Sequence, residues 1–449
     1  MTNTASGRLP NTDFERFPIW WKDAPPQDMQ DEPRPRLPAR CDVAVVGGGF
    51  SGLATALELA RQGVSVAVLE ADAFGFNSSG RNSGGVSFGL DFGSVNRWRR
   101  WTGSQGPGVG ELARGALESL TFMQDFIAQN AIDCDFHLRG RLSCAPTPKH
   151  YDILARRAEQ TNKLYDAGAY MVSRADQHSE IGSDQFYGTM VIPRSAQLQP
   201  ARYLHALLAL CAQAGVQLFG NTAVLGTERQ PAGFILKTAG AALQATAVVL
   251  ATNAQAGRLP GSPLTRHVVP VVSNIIVTEA LPDELAARLL PQQRTGADNR
   301  RLLAYFRRTP DGSRFLYGGR AAPFEVTPER AAAILYRRMV KTFPQLDRVR
   351  IDYAWGCKVA FTFDSLPHIG QMDGLYYIAG CNGNGVAMMN YLGYHLARKI
   401  LDNGQASCVF DQVNFPTLPL YSGKPWFLPI LATGYGILDR LDDSSRPRR

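Results

Sequence analysis

Closely spaced cysteine pairs are missing from this sequence. Its seven cysteines are an odd number, lie far apart and include no C-x-x-C pair, so they predict neither a disulfide framework nor a zinc site, and no metal ligand is assigned. Residues 1–25 lack the basic start and apolar stretch of a secretory signal, and no run reaches the roughly 18 apolar residues that a membrane-spanning helix needs. We therefore expect a cytoplasmic protein.

A strong charge bias is also missing. The 47 lysines and arginines against 39 aspartates and glutamates leave a net charge of +8, part of it in the tail at Arg446, Arg448 and Arg449. Without a lysine-rich stripe or an interleaved aromatic motif, the sequence predicts no nucleic-acid partner, and attraction of an anionic substrate or solubility explains the charge equally well. Since no internal repeat is present, the 449 residues predict a globular chain of about two domains.

The first ordered pattern in the sequence is strand, helix, strand. Residues 41–46 form a short apolar run, residues 50–62 have helical periodicity and residues 64–70 are a second apolar run, which together predict a βαβ unit with parallel strands. Alternating runs between residues 267 and 317, followed by a helix at residues 328–342, predict antiparallel strands later in the chain. The expected fold class is α/β, with a Rossmann-like nucleotide-binding domain interleaved with a mixed-sheet α+β domain.

A glycine-rich turn joins the first predicted strand to its helix. Gly47, Gly49 and Gly52 form the pattern G-x-G-x-x-G: the first allows a tight turn, the second lets the backbone approach a pyrophosphate, and the third permits close helix packing. Glu70 ends the second strand 18 residues after Gly52, near the spacing of about 20 at which an acid binds a ribose hydroxyl. The motif alone does not separate FAD from NAD, so a classical NAD(P) dehydrogenase is the main alternative.

Two further loops favour a flavin over a nicotinamide. Residues 74–87 are mostly small and polar around Arg81, so their backbone can approach a large planar ligand and the arginine can pair with a phosphate oxygen; a surface loop without a ligand is the alternative. Residues 380–389 form a second glycine-rich turn before a helix, whose positive end would stabilise the negative charge of a reduced flavin. A nicotinamide dehydrogenase has no obvious need for this second loop.

Together these motifs resemble a known family, the glycine oxidase, sarcosine oxidase and D-amino acid oxidase group of flavoproteins, and within it the gamma-glutamylputrescine oxidoreductase branch. The resemblance covers residues 17–441 and is carried by residues 45–52, 79–85, 310–312, 317–320, 354–356, 362–370 and 380–388. It implies FAD as the cofactor and a substrate domain lying over the flavin. The expected domains are an N-terminal arm at 1–37, an FAD-binding domain at 38–103, 146–258 and 355–404, a substrate domain at 104–145 and 259–354, and a C-terminal extension at 405–449.

The same resemblance assigns residues to the cofactor. It implies that Val224 contacts the adenine end and that residues 383–388 meet the isoalloxazine ring. The FAD-binding residues expected from motif and resemblance are Gly47, Gly49, Phe50, Ser51, Gly52, Glu70, Ala71, Ser78, Ser79, Gly80, Arg81, Asn82, Ser83, Gly84, Gly85, Val224, Thr252, Asn253, Gly383, Asn384, Gly385, Val386, Ala387 and Met388.

The chemistry implied by the resemblance is oxidation of an amine or amino-acid C–N bond to an imine, which water then hydrolyses, with oxygen or another acceptor reoxidising the flavin. Because the neutral amine itself drives hydride to flavin N5, placement matters more than side-chain chemistry. A flavin monooxygenase, a hydroxy-acid dehydrogenase and a binding protein with a structural flavin remain alternatives.

Candidate residues for the substrate pocket are Arg320, Lys358 and Asn384, although both cations can equally be solvated surface charges. In sarcosine oxidase relatives a lysine follows the last glycine-rich loop and helps to bind the substrate carboxylate. Ala387 stands at that position here, which disfavours a small α-amino acid as the substrate. His368 is expected to be a hydrogen-bonded structural residue.

Two features leave alternatives open. Cys357 lies seven residues before Asp364, where covalently flavinylated relatives carry their linking cysteine, but it can equally be a small buried hydrophobe. Residues 426–441 are unusually apolar for a C-terminal segment. They can form an interfacial helix on a membrane, or they can pack on their own domain or on a partner subunit.

Overall fold

The computed structural model describes residues 7–28, 36–322, 324–405 and 408–444. Arg446, Arg448 and Arg449, with parts of the expected N-terminal arm and C-terminal extension, lie outside these described residues. The strands are β1 (Arg40–Val46), β2 (Val66–Leu69), β3 (Gly85–Val86), β4 (Arg141–Cys144), β5 (Tyr170–Val172), β6 (Thr189–Ile192), β7 (Ala196–Gln197), β8 (Gln217–Phe219), β9 (Gly226–Gln230), β10 (Gly233–Lys237), β11 (Ala242–Leu250), β12 (Val269–Thr278), β13 (Thr295–Asp298), β14 (Ala304–Arg308), β15 (Phe315–Gly319), β16 (Ile351–Phe361), β17 (His368–Met372) and β18 (Leu375–Ala379). The α-helices are α1 (Phe50–Arg61), α2 (Ser78–Arg81), α3 (Phe92–Thr102), α4 (Val109–Gln129), α5 (Pro148–Tyr165), α6 (Pro200–Gln213), α7 (Asp283–Leu289), α8 (Pro328–Thr342), α9 (Gly385–Leu401) and α10 (Leu428–Ser444).

The first sheet is Rossmann-like, with strands in the order β17-β18-β11-β1-β2-β8. β1 pairs in parallel with β2 and β11, β8 and β18 extend the sheet in parallel on either side, and the hairpin β9–β10 joins β11. All four residues of β2 are buried, as expected for a parallel strand covered on both faces. Helices α1, α6 and α9 pack on one face, where Leu53, Leu204 and Leu392 are fully buried. The βαβ unit predicted from residues 41–70 is confirmed.

The second sheet has the order β16-β12-β15-β14-β13-β4-β6-β5. Its neighbouring pairs are antiparallel apart from β13 and β4, which are parallel. Helix α8 covers one face, and its residues Leu335, Tyr336 and Met339 are fully buried there. This confirms an α/β fold in which a parallel-rich sheet is combined with a mixed second sheet.

The N-terminal segment covers part of the opposite face of the second sheet. Residues 19–22 form a short 3₁₀ helix, in which Trp20 is buried and packs edge-on against Trp355 of β16, with ring centroids 6.4 Å apart. The indole Nε1 of Trp20 donates to the carbonyl oxygen of Asn82 at 2.9 Å. The start of the chain is thereby bound to both the second sheet and the loop after α2.

Strand pairing departs from the domain boundaries expected from the sequence. β16 pairs with β12 along its length, with Trp355 opposite Ile275 and Cys357 opposite Ser273. Residues 355–361 therefore belong to the second sheet and not to the first, where the sequence placed them. β5 and β6 also join the second sheet, although they fall inside the range 146–258 expected for the FAD-binding domain. The residues of a strand do not show which distant strand it will pair with. The domain boundaries therefore could not be predicted from local sequence patterns.

The C-terminal helix α10 is attached to the second sheet's domain by ion pairs. Arg300 contacts Asp443 at 2.9 Å, and Arg301 contacts Asp439 at 3.1 Å and Asp442 at 2.7 Å. The segment at 426–441 thus packs on its own domain through one face, in agreement with one of its two interpretations. Among the described residues, no helix is both long and apolar enough to cross a bilayer.

Candidate active site

An elongated cleft opens where the parallel strands of the first sheet end. Its volume is about 1430 Å³, and it extends from the carboxyl ends of β1, β2 and β11 to β16. In open α/β sheets, ligands bind outside the carboxyl ends of the strands. The sequence-predicted residues that line the cleft are Gly47, Gly49, Phe50, Ser51, Glu70, Ala71, Ser78, Ser79, Asn82, Ser83, Gly85, Val224, Thr252, Asn253, Cys357, Lys358, Gly383, Gly385 and Val386.

The glycine-rich turn needs its glycines for close backbone packing. Gly47 has φ +108°, and a Cβ at this position would lie 2.8 Å from the carbonyl oxygen of Ala251. A Cβ on Gly52 would lie only 2.0 Å from the carbonyl oxygen of Gly47. Since neither contact is sterically possible, α1 can approach β1 and β11 this closely only with glycine at both positions. Helix α1 therefore begins at the cleft, where its free N–H groups and positive dipole end suit a phosphate.

The carboxylate of Glu70 holds the turn and faces the cleft at the same time. Its Oε2 accepts a hydrogen bond from the Gly48 amide at 2.8 Å, and its Oε1 accepts one from the Asp72 amide at 3.1 Å. Burial raises the pKa of Glu70, while these two amide donors oppose that shift. The residue predicted to bind a ribose hydroxyl is thus fixed in orientation by the backbone of both strand ends.

The loop at 77–85 is shaped by its own polar side chains. Ser79 Oγ accepts from the Phe50 amide at 3.2 Å. Asn82 Nδ2 donates to the carbonyl oxygens of Ser78 and Ser79 at 3.1 and 2.9 Å, while its Oδ1 accepts from the Gly84 amide at 2.9 Å. These bonds end α2 and turn the chain towards β3, which brings the backbone of Ser83 and Gly85 to the wall of the cleft.

Arg81 is placed differently from what the sequence suggested. Its guanidinium lies against the neighbouring rings of Trp21 and Phe76, 4.7 Å from each centroid. Its Nε donates to the Phe76 carbonyl at 2.7 Å and its Nη1 to the Gly356 carbonyl at 3.1 Å. Burial lowers the pKa of Arg81. With these two donors directed at carbonyls, the arginine fastens the loop to β16, and it is not among the residues that line the cleft.

A buried arginine that sequence reasoning missed supports the same loop from behind. Arg307 on β14 is only 2% exposed, and its Nη1 donates to the carbonyl oxygens of Ser83 and Leu198, each at 3.0 Å. Burial lowers the pKa of Arg307 to about 9. The available signal was weak: two adjacent arginines end the strand at residues 304–308, and its alternation does not show that the first of them is buried.

The turn before α9 joins the two ends of the site. Asn382 Oδ1 accepts from the Thr362 amide at 3.0 Å, which connects the turn to the end of β16. Asn384 Oδ1 accepts from Ser87 Oγ at 2.8 Å, and its Nδ2 donates to the Gly89 carbonyl at 2.7 Å. Both polar atoms of Asn384 are therefore used to hold the segment after β3 against the start of α9.

A second cavity of about 570 Å³ lies beside the cleft and shares Cys381 with it. Asn384 and Met388 line this second cavity, whereas Ala387 is fully buried in the helix-packed core. Its lining residues are Ser87, Phe88, Gly89, Leu90, Asp91, Phe361, Ser365, Pro367, Cys381, Asn382, Asn384 and Met388. Among the residues that the structure describes, no lysine or arginine lines it.

The two candidate cations occupy different places. Lys358 lines the main cleft, with its Nζ 3.7 Å from Glu325 Oε2 and both side chains partly exposed. Arg320 lies at the end of β15 and interacts with Tyr435 of α10, and burial lowers the pKa of Arg320. Within the described chain Arg320 lines neither cavity, so the structure brings only one of the two cations to the site.

Cys357 and His368 were also singled out from the sequence. Cys357 lines the cleft, and burial raises the pKa of its thiol to about 12, although Arg81 opposes that shift.

His368 is fully buried, with Nε2 3.1 Å from Asp364 Oδ1 and its ring stacked on Phe415. The histidine has the structural, hydrogen-bonded environment expected of it, outside both cavities.

Several cleft residues were not predicted. Asn77, Gln255 and Arg258 line the cleft after β2 and β11. Gln255 Nε2 donates to Asn77 Oδ1 at 3.1 Å, and Arg258 pairs with Asp72. Thr252 and Asn253 at the start of the segment after β11 were predicted, and Gln255 and Arg258 could have been added because the carboxyl ends of parallel strands meet at one edge of the sheet.

Residues 42–399 match the family of FAD dependent oxidoreductases designated DAO. The chain belongs to this family. It is 30% identical over 430 residues to the probable oxidoreductase OrdL of Haemophilus influenzae, covering 94% of this chain and 96% of the relative. It is 29% identical to the gamma-glutamylputrescine oxidoreductase of Escherichia coli, with 89% and 93% covered. The glycine oxidase of Geobacillus kaustophilus has the same fold, with a TM-score of 0.69 at 23% identity over 84% of this chain and 99% of that one.

The FAD of this family fits the cleft of this member. The cleft is lined continuously by residues from the ends of β1, β2 and β11 to β16, and the turn at Gly47 and Gly49 lies in its wall at the start of α1. Thr252 lines the cleft. Its Oγ1 is buried and has no hydrogen-bond partner among the described residues. A buried hydroxyl without a partner is explained when a ligand supplies one.

Proposed function

We propose that this chain uses FAD to oxidise the C–N bond of an amine whose acidic group, if it has one, lies away from the reacting carbon. The observation that carries the proposal is the second cavity, which adjoins the cofactor cleft at the start of α9 and, among the described residues, is lined by no lysine or arginine. The product is an imine, which water hydrolyses.

The cofactor would be held by the residues that line the main cleft. In the proposal, the turn at Gly47 and Gly49 faces the pyrophosphate, Glu70 and Val224 face the adenosine end, and Gly383 and Gly385 lie at the other end, all as lining residues of one cleft. Bound FAD would accept two electrons from the substrate in the form of a hydride. Arg81 and Gly52 contribute by packing the loops and not by contact.

The second cavity is suited to binding an amine in its uncharged form. Phe88, Leu90, Phe361 and Met388 give it a largely apolar wall, and desolvation lowers the pKa of an amine, which is about 10 in water. Asp91 also lines the cavity and opposes this shift, but it is exposed to solvent, which screens its charge. Only the uncharged amine has a lone pair to assist loss of hydride from the neighbouring carbon. Asn384, with both polar atoms engaged, orients the wall and does not act as a base.

The absence of a cation from this wall supports a substrate without an α-carboxylate. Ala387, at the position where sarcosine oxidase relatives have a lysine, is buried in the core, and no lysine or arginine of the described chain lines the cavity. An uncompensated carboxylate in such a cavity is unfavourable. A γ-glutamylated diamine or a longer amino acid keeps its carboxylate away from the reacting carbon. Lys358 is the lysine at the cleft that is available for such a distal group.

The test is anaerobic mixing of the FAD-loaded protein with matched amines, followed by flavin absorbance. A γ-glutamylated diamine should bleach the flavin without NAD(P)H, and much faster than glycine or sarcosine. Admitting air or a dye afterwards shows whether oxygen or another acceptor restores the colour. Bleaching that requires NAD(P)H would instead identify a monooxygenase, and glycine or sarcosine as the best reductant would contradict the substrate class.

A cytoplasmic location is part of the same proposal. The seven cysteines are free thiols in the structure, which suits a reducing compartment. Fractionation of cells that express the native chain, with a cytosolic marker enzyme as reference, tests it.

A further inference from the structure

A surface near the substrate cavity combines exposed apolar side chains with basic ones. It is formed by α3, by residues 413–427 and by α10 as far as residue 438, and we call it the aromatic–basic surface. Trp101, Leu420, Trp426 and Ile430 are 71%, 90%, 59% and 68% exposed on it. A single exposed apolar residue is ordinary, but several on one surface mark a contact with another molecule or with a membrane.

Ring contacts show that the surface is continuous. Trp98 lies 5.4 Å from Trp101 and 6.3 Å from Phe363, Phe363 lies 6.4 Å from Phe427, and Phe427 lies 5.6 Å from Trp426, measured between centroids. Helix α3 and the start of α10 are distant in sequence but are connected by this chain of rings. The exposed tryptophans at its two ends therefore belong to one face of the molecule.

Helix α10 has two chemically different sides. Asp439 and Asp443 hold its acidic side on the protein by pairing with Arg301 and Arg300. The exposed apolar residues of α10 on this surface are Ile430, Leu431, Ile437 and Leu438. Ile430 and Ile437 are two helical turns apart and share one stripe. The helix is thus anchored by its charges and presents an apolar stripe outward.

The charges of the surface are all of one sign. Residues 92–102 and 413–438 contain no aspartate or glutamate, but they contain Arg97, Arg99, Arg100 and Lys424. Arg97, Arg100 and Lys424 are exposed. An apolar stripe with tryptophans and flanking basic residues is the composition of helices that lie in the plane of a membrane, where basic residues are attracted to anionic lipids.

We propose that the aromatic–basic surface binds the face of an anionic lipid bilayer, with the apolar stripe of α10 in the headgroup region. Docking of a second copy through the same surface would bring arginines of like charge together, so the charges favour lipid. Helix α3 begins after Asp91, and Asp91 and Phe361 line the substrate cavity. Bound in this way, the protein holds that cavity close to the membrane surface.

The experiment is flotation of the full-length, FAD-loaded protein with phosphatidylcholine vesicles that contain or lack phosphatidylserine. Wild-type protein should float with the anionic vesicles at least about tenfold more than with neutral ones, and added salt should reduce this fraction. Ile430→Asp combined with Ile437→Asp should abolish flotation, and Arg97→Gln with Arg100→Gln should weaken it. The control is Leu138→Asp, an equally drastic change at a residue that is 54% exposed outside the surface, which should float like wild type.

Flavin content and melting temperature confirm that each variant is folded, because every substituted side chain is exposed. Wild-type protein that stays unbound with anionic vesicles overturns the proposal. Flotation that survives the double isoleucine substitution also overturns it, since another surface would be responsible. Sedimentation equilibrium tests for self-association. If wild-type protein is a dimer that does not bind vesicles, and the double isoleucine variant is a monomer, the surface is a self-association interface and not a membrane-binding one.

Discussion

The two ends of the site are built from different kinds of sequence information. At the phosphate end, Gly47, Gly52 and Glu70 lie within one strand–helix–strand unit, and backbone groups make most of the contacts. At the substrate end, Ser87, Phe361 and Asn384 come from three segments far apart in the chain. The first end is specified locally and shared by many dinucleotide-binding proteins, whereas the second depends on tertiary packing and is the end where we propose that specificity is set.

The strongest test of this comparison is Gly52→Ala. The added Cβ would meet the Gly47 carbonyl oxygen at 2.0 Å, so α1 must move away from the turn. We expect the purified protein to retain less than about one hundredth of the wild-type FAD, because the clash lies between backbone atoms that cannot yield locally. Bound flavin per polypeptide is the measurement. Gly110→Ala, where a Cβ meets nothing within 4 Å, is the matched control and should keep its flavin; equal retention in both variants would show that the turn is not used.

A smaller effect is expected from Glu70→Gln. Glutamine offers one acceptor oxygen where the carboxylate offers two, so either the Gly48 or the Asp72 amide loses its partner. A hydrogen bond to a charged group contributes about 1.5–3 kcal/mol, which predicts FAD binding about tenfold to hundredfold weaker. Titration of apoprotein with FAD measures it. Glu58→Gln removes a charge from α1 outside the cleft and should leave FAD affinity unchanged.

At the substrate end, Asn384→Ala should separate binding of cofactor from turnover. The variant loses the bonds to Ser87 and Gly89, each worth about 0.5–1.5 kcal/mol. We expect kcat/KM for the amine to fall about tenfold while flavin content stays at the wild-type level. Asn130→Ala, at the distant end of α4, is the control. If the Asn384 variant instead loses FAD, and the molecules that keep FAD turn over normally, the proposed difference between the two ends of the site is contradicted.

The smallest effect is expected at Cys357. Burial raises the pKa of this thiol to about 12, so at neutral pH it is uncharged and a poor nucleophile. Acid precipitation should therefore release the flavin, and Cys357→Ser should change FAD affinity less than about twofold. Cys381→Ser, the other cysteine of the cleft, serves as the comparison. Flavin that remains on the precipitated wild-type protein and is lost only in the Cys357 variant would establish a covalent link.

The same contrast explains how much could be predicted from the sequence. The βαβ unit, its glycines and the helix at residues 328–342 follow from spacing and periodicity, which are local. Arg81 shows where this reasoning ends: its type suits a phosphate, but its packing on Trp21 and Phe76 and its hydrogen bond to the Gly356 carbonyl depend on tertiary contacts. Arg307 was overlooked because two of its three carbonyl partners, Ser83 and Leu198, are brought to it only by folding. Helix α3 was missed because its apolar side is narrow, with Val95 as its one buried residue, and because Trp101 on its other side is exposed.

The bond from Trp20 to the Asn82 carbonyl has a consequence for biosynthesis. Trp355 on β16, against which Trp20 packs, is synthesised more than three hundred residues after Trp20. Until then the loop that borders the cofactor cleft lacks this support, so a nascent chain stalled before β16 should not capture flavin. Such long-range closure makes folding slow and leaves apolar strands uncovered during synthesis. Supplying riboflavin would therefore rescue completed chains and do little for truncated ones.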